Sequence, residues 1–283
     1  MTATVFLAVL VAAALHATWN ALVKGSGDKD VAMLAMVGGQ GVAAVAVLLV
    51  VPSPAPESWP YILLAMVLHT GYQIFLAAAY RVGDLTQVYP IARGSAPLMV
   101  AVISVLFLGV TLSTMELTAV ALIGVGIISL ALVRRADGLR NGRAVALSLV
   151  TGCFITAYSL ADGLGARVAG TALGFFGWAA LLNTLAFAAY VALTRRDAFR
   201  ALTRSTVAIG LLSGSASFAA YAIVVWAFTQ APIALVTALR ETSIVFSLLI
   251  GIFVLRERLD LAKLASTATT LAGVALLRFA RPT

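Results

Sequence analysis

Val88-Tyr-Pro-Ile-Ala-Arg-Gly-Ser-Ala-Pro97 places an arginine, a glycine and two prolines inside a stretch otherwise apolar enough to cross a membrane. Farther along, Ala238-Leu-Arg-Glu-Thr-Ser243 sets Arg240 in similar surroundings, 147 positions after Arg93. An arginine near the middle of a spanning helix costs about 2.5–3.5 kcal/mol on insertion scales, so one that is retained faces a cavity, a partner or a substrate. The pair points to a pathway through a membrane and to a chain built from two related halves.

The composition agrees. Of 283 residues, 62% are hydrophobic and 11% charged, against about 25% charged in an ordinary soluble domain. This is the make-up of an integral membrane protein. The net charge of +8 comes from basic residues in short gaps between apolar segments, which read as topology signals; no polar segment is large enough to form a nucleic-acid surface. The single cysteine, Cys153, supports neither a disulfide nor a cysteine-based metal site and is expected to pack. Thr4 to Val23 is long enough to span and lacks a basic n-region, so it reads as a first helix rather than a signal peptide.

A spanning helix needs about 20 apolar residues. That ruler places ten, at 4–23, 31–51, 60–80, 85–108, 115–133, 144–163, 171–194, 206–229, 233–255 and 261–278. The expected fold class is an all-α integral membrane protein with ten transmembrane helices in two inverted five-helix repeats, residues 1–138 and 139–283. Shifting by 147 positions superposes Arg93 on Arg240, Ser95 on Thr242 and Gly126 on Gly273. A repeat with an odd number of spans enters the bilayer in opposite senses in its two copies. Gaps after the odd-numbered spans carry 14 Lys and Arg, whereas the other side carries three, Arg167, Arg278 and Arg281. The richer side is expected to be cytoplasmic, with both termini outside.

Pro90 and Pro97 each remove a backbone donor. Freed carbonyls in lipid must find protein or water, so span four is expected to be a broken helix lining a cavity around Tyr89 and Arg93. Span nine has no internal proline and is expected to be regular. Its Glu241 is either a structural partner of Arg93 or Arg240, or a proton carrier in a dry setting. Two polar, aromatic stripes stand out on spans one and three: His16, Trp19 and Asn20, then His69, Tyr72 and Gln73, each at helical spacing. Such stripes either bridge packed helices or wall a pocket for an amphipathic solute, and a histidine changes charge near neutral pH. In the second half Tyr158, Asn183, Tyr221 and Trp226 are the sparser counterparts. Asp162, near the end of span six, reads as interfacial. Gly38-Gly-Gln-Gly41, Gly170 to Gly177 and Gly210 to Ser217 are small-residue packing faces.

The whole chain resembles the drug/metabolite transporter superfamily in its ten-span form with two EamA-type repeats. The residues that carry the likeness are His16-Ala-Thr-Trp-Asn-Ala-Leu-Val-Lys24, Ala77-Ala-Ala-Tyr80, Leu255-Arg-Glu-Arg-Leu259 and Ala272-Gly-Val-Ala-Leu-Leu277. Gly109-Val-Thr-Leu-Ser113 departs from the charged turn of the second half. The resemblance implies an alternating-access carrier of the bacterial cell (inner) membrane, with exporters of amino acids, including the YddG group, and of other metabolites and drugs among its relatives.

The expected function is therefore export of amino acids or similar small metabolites. Arg93, Trp19, Asn20, His69, Tyr72, Gln73, Tyr89, Tyr158 and Tyr221 are the expected substrate contacts, and His16, Arg240, Glu241, Pro90 and Pro97 the coupling or gating groups. The alternatives are a multidrug or cationic-compound exporter and, from another class, an intramembrane enzyme. Ser213-Gly-Ser-Ala-Ser217 is a serine cluster, but no motif for catalysis or metal binding accompanies it. Expected partners are a small-molecule substrate and the lipid bilayer, with no nucleic acid, no cofactor and no metal; monomer and homodimer both stay open.

Overall fold

The computed structural model describes residues 2–108, 113–132, 141–231, 233–256 and 261–279. The Gly109 to Leu112 turn, most of the central basic loop, Pro232, Arg281 and the Glu257 to Leu259 half of the charged turn lie outside the described residues, as does the side chain of Pro97. Among the described residues there are helices and no strands.

The described residues form twelve α-helices: α1 (Ala3–Gly25), α2 (Lys29–Leu48), α3 (Trp59–Val82), α4 (Leu85–Leu108), α5 (Thr114–Leu132), α6 (Gly142–Val168), α7 (Ala172–Thr194), α8 (Asp197–Arg200), α9 (Arg204–Gln230), α10 (Ile233–Arg240), α11 (Ser243–Phe253) and α12 (Leu261–Phe279). Their starts are set by local chemistry. Thr2, Asp28, Asn141, Thr171 and Thr203 each accept a hydrogen bond from a backbone N–H of the first turn, satisfying a donor that has no partner within the helix. Pro60 stands in the first turn of α3, where its missing N–H is no loss.

Among the described residues, six stretches are long and apolar enough to cross a membrane: Ala3–Gly25, Lys29–Leu48, Pro56–Val82, Gly142–Val168, Ala172–Thr194 and Arg204–Gln230. Large apolar side chains such as Leu7, Val42, Leu63, Val67, Leu185 and Leu212 point outward and are exposed, while polar groups turn inward. A multi-pass membrane protein has this inverted distribution, because lipid tails accept apolar side chains and reject polar ones.

Helix packing is tightest where glycines meet. A Cβ on Gly214 would collide with Met36 O, Gln40 N and Gly39 C, and one on Gly210 would lie 2.6 Å from Ala35 C. The α2 and α9 backbones therefore touch along the Gly39/Gly214 seam. A Cβ on Gly273 of α12 would likewise lie 2.7 Å from Ile123 N of α5. Further contacts join α1 to α9 and α11, α3 to α6 and α7, α4 to α6 and α11, and α2 to α7.

Three expectations change. Span four is not broken: residues 85–108 form one helix through Pro90 and Pro97. A packed bundle tolerates proline because neighbouring helices close around the strained turn, and here α6 presses Gly152 onto Ala92 O and Ser95. Span nine, expected to be regular, is the interrupted one. The helix tightens between α10 and α11, with Thr242 N bonded to Leu239 O, Ile244 N to Glu241 O and Val245 N to Thr242 O, at 2.9–3.1 Å. The Thr242 hydroxyl also takes the Leu239 carbonyl at 2.7 Å, a local side-chain bond that competes with the helical ladder. Cys153 does not pack; it is exposed.

Candidate functional site

The two polar stripes come together at the centre of the bundle. His16 and Trp19 of α1, Tyr72, Gln73 and His69 of α3, Tyr158 of α6 and Tyr221 of α9 line one small cavity of about 20 Å³, closed off by Met36, Gln40 and Ser217. Helical spacing on each element, an i to i+3 or i+4 step, is what turns these side chains to one side. The rings pack tightly: His69 stacks on Tyr158 with centroids 4.3 Å apart, and Tyr72 and Tyr221 meet Tyr158 edge-on at 5.4 and 5.6 Å. The Trp19 indole N–H donates to His16 Nδ1 at 3.2 Å. A volume of about 20 Å³ holds one water and no metabolite. Two larger pockets, of about 330 and 230 Å³, lie at the end of the bundle where α1 finishes and α2 begins.

A second cluster abuts this cavity. Arg93 of α4 and Arg240 of α10 are both 2% exposed, and Glu241 is fully buried. Arg93 Nη2 lies 3.4 Å from Glu241 Oε1 and 3.4 Å from the Arg240 carbonyl oxygen, which the tightened turn turns aside from the helical ladder. Arg240 Nη1 reaches Ser159 Oγ at 3.5 Å, and its guanidinium lies 4.9 Å over the Tyr221 ring, a cation–π contact. Tyr89 approaches His16, with centroids 6.3 Å apart. Among the described residues, Arg93 Nε and Nη1, Arg240 Nη2, Tyr89 Oη, Ser243 Oγ and Glu241 Oε2 have no hydrogen-bond partner. These unsatisfied buried polar groups, donors and acceptors together, converge on one place and leave it with hydrogen-bonding capacity to spare.

Not every expected contact faces the cavity. Asn20 is held by its own bundle: it donates to His16 O at 2.7 Å and accepts from Tyr80 Oη at 2.7 Å. Asn183 accepts from Thr70 Oγ1 at 3.0 Å, and Trp226 is 36% exposed on the outer surface. Asp162, expected at the interface, is fully buried. Helix α6 runs to Val168 rather than 163, which moves Asp162 about two turns inside the helix end. Its Oδ2 lies 2.8 Å from His69 Nε2 and accepts from Tyr221 Oη at 2.6 Å. Met36, Gln40 and Ser217 also line the cavity, although nothing in the sequence marks them as site residues. Gln40 lay within a glycine run assigned to packing, and its place three residues before Ala43 carries no chemical signal of its own.

The class these features define is an all-helical, multi-pass membrane protein with an aromatic cavity and a buried ionic cluster at its centre. No family model and no curated protein matches the chain. A solved protein described as "Crystal structure of protein" superposes with a TM-score of 0.67 at 16% identity, over 98% of this chain and 96% of its own. That likeness shows a shared fold along the full length.

Proposed function

We propose that the chain is a secondary carrier of the drug/metabolite transporter superfamily, EamA type, which exports amino acids or similar small metabolites from the bacterial cytoplasm by alternating access. The observation that carries the reading is the meeting of Arg93 and Arg240, one from each half, beside a cavity walled by His16, Trp19, His69, Tyr72, Tyr158 and Tyr221. Guanidinium groups with open donors suit a carboxylate, and flat rings suit an apolar side chain.

On this reading all ten sequence spans cross the membrane, α10 and α11 together forming the ninth, and residues 1–138 and 139–283 are inverted repeats. Helix pairing supports it. Exchanging α1 to α5 with α6, α7, α9, α10–α11 and α12 turns α1·α9 into α3·α6, α2·α9 into α3·α7, and α1·α11 into α4·α6; all six pairs occur. The same exchange leaves α2·α7, α4·α11 and α5·α12 unchanged, and these occur too. On the self-paired helices, residues 147 positions apart touch: Thr184 Oγ1 donates to Val37 O at 3.1 Å, as Arg93 does to Arg240 O. Two inverted halves give an outward and an inward state by exchanging conformations, and a cavity this small must open in turn to each side to admit cargo. Loop charge puts both termini outside the cell.

A second reading, export of cationic compounds, draws on the two buried carboxylates, Asp162 and Glu241, among aromatic rings. Purified protein in liposomes, offered radiolabelled amino acids and cationic drugs, separates the two. Saturable counterflow of an amino acid supports the first, and counterflow of a cation alone replaces it with the second. Uptake that does not saturate argues for a channel and overturns both.

A further inference from the structure

Three helices place His69, Asp162 and Tyr221 in contact, and the amino-acid reading of the cavity gives Asp162 no part. Asp162 Oδ2 faces two groups, the His69 imidazole at 2.8 Å and the Tyr221 hydroxyl at 2.6 Å. Its other oxygen, Oδ1, has no partner among the described residues. A carboxylate sealed at 0% side-chain exposure is poorly solvated by donors on one oxygen alone. An added proton offsets the buried charge in either of two ways: on the imidazole, making an ion pair, or on the carboxyl.

The route for that proton is also visible. His69 keeps 11% of its side chain exposed and lines the central cavity, whereas Asp162 keeps none. A proton leaving a hydronium ion in cavity water forms an N–H bond on the imidazole, and the hydrogen bond to Oδ2 lets it be shared with the carboxyl; no electrons are exchanged.

The surrounding charges set what the proton does. From α10, Arg240 lies over the Tyr221 ring and touches Ser159, one turn before Asp162. From α4, Arg93 is engaged with Glu241. From α3, Tyr72 meets Tyr158 edge-on, and Tyr158 of α6 itself stacks on His69. From α1, His16 stands on the cavity wall; from α7 only the apolar ring of Phe176 approaches, 5.1 Å from Tyr221. With both histidines neutral, Arg93 and Arg240 balance Asp162 and Glu241. One added proton leaves the centre with a net positive charge, so a bound proton and a bound anionic group favour each other, reciprocally.

We propose that His69, Asp162 and Tyr221 form a proton-binding site loaded from the central cavity, and that its proton is coupled to the transport cycle. The coupling rests on the carrier reading; the proton site does not. Infrared difference spectra of the protein in lipid nanodiscs, between about pH 5 and about pH 8 where a histidine pair exchanges protons, test the site. The wild type should show titrating carboxyl and imidazole bands that Asp162→Asn removes and Glu57→Gln, on an exposed turn, leaves in place. Tyr221→Phe, which deletes one hydrogen bond and keeps the ring, should displace the midpoint, and serves where Asp162→Asn does not fold. Bands unaltered in both Asp162→Asn and Tyr221→Phe overturn the site.

Proteoliposomes with a trapped pH dye, given L-phenylalanine and L-leucine under an imposed proton gradient, test the coupling. Gradient-driven accumulation should fall at least tenfold in Asp162→Asn and His69→Gln, on the order of one lost charge-assisted interaction. Equal accumulation by wild type and both variants overturns the coupling. Wild type that moves neither amino acid, yet shows the titrating bands, overturns the amino-acid reading and upholds the proton site.

Discussion

Lys24 and Arg167 perform the same task in the two halves of the chain. Lys24 Nζ, at the end of α1, donates to Tyr80 O at 3.2 Å and Gly83 O at 2.7 Å, the last carbonyls of α3. Arg167, at the end of α6, donates through Nε to Phe228 O at 3.0 Å and through Nη2 to Ala231 O at 3.1 Å, the last carbonyls of α9. Each acceptor pair is three residues apart, and each cation sits where helix carbonyls lack partners and the helix dipole is negative. Arg167 is one of the three basic residues outside the richly charged gaps of the sequence, and its hydrogen bonds make it a helix cap.

Removing either cap should destabilise the fold. Arg167→Ala and Lys24→Ala are each expected to lose about 1–3 kcal/mol, the worth of hydrogen bonds from a charged group to otherwise unsatisfied carbonyls. Arg167→Lys should recover part of the loss, since it keeps the charge and gives up the fork. The two sites are in different halves, so the double variant should lose the sum. Denaturant unfolding in detergent, followed by tryptophan fluorescence, measures this.

The all-helical, multi-pass class is readable from the sequence because length and hydropathy are sufficient to find apolar helices in a lipid solvent. The outlying errors have physical causes. The prolines of α4 read as a break, but Gly152 of α6 closes onto Ala92 O and Ser95, a tertiary contact no local pattern announces. The true interruption, at Arg240 to Thr242, contains neither proline nor glycine and depends on the Thr242 hydroxyl taking Leu239 O. The stripes on α1 and α3 were legible by period. Asp162 was not, because its role depends on His69 and Tyr221, 93 and 59 residues away.

The neighbouring glycines Gly38 and Gly39 should behave oppositely. A Cβ on Gly39 would meet the Gly210 carbonyl and lie 2.8 Å from Leu211 Cα, whereas one on Gly38 meets nothing within 4 Å. Gly39→Ala is expected to lose about 1–3 kcal/mol by forcing α2 away from α9. Gly38→Ala should be neutral or gain up to about 1 kcal/mol from helix propensity. Thermal unfolding of the two variants in one detergent decides; equal loss in both would show that the seam is not at Gly39.

At the end of the bundle near α2's start, Asp30 Oδ2 lies 2.6 Å from both Arg81 Nη1 and Arg195 Nη1, tying α2 to the ends of α3 and α7. Just beyond α7, Arg195 also donates to Asp197 and holds its carboxyl below the ordinary carboxylate range. A depressed carboxyl contributes stability that is present above the unfolded pKa and lost as pH falls through the folded one. The tie at Asp197 should thus be intact at neutral pH and released on acidification below about pH 4. In Arg195→Gln the Asp197 carboxyl should titrate higher, toward its ordinary value, as NMR of a carboxyl-labelled sample would report.

Arg93 and Glu241 should be separable in stability and inseparable in transport. Arg93→Ala leaves Glu241 buried without its cation, and breaking such a pair from one side typically loses about 3–5 kcal/mol. Arg93→Met combined with Glu241→Gln removes both charges at similar volume, and is expected to regain most of that stability because neither partner is left uncompensated. It should not regain transport. If Arg93 meets the substrate carboxylate, loss of that charge-assisted contact lowers amino-acid counterflow by about 10–100-fold, measured at equal membrane abundance. Arg240→Ala, which frees Ser159 and the Tyr221 ring, should lower counterflow as well. Wild-type counterflow in the Arg93/Glu241 double variant would make the pair a structural strut between α4 and the interrupted ninth span, with the pathway lying elsewhere in the cavity.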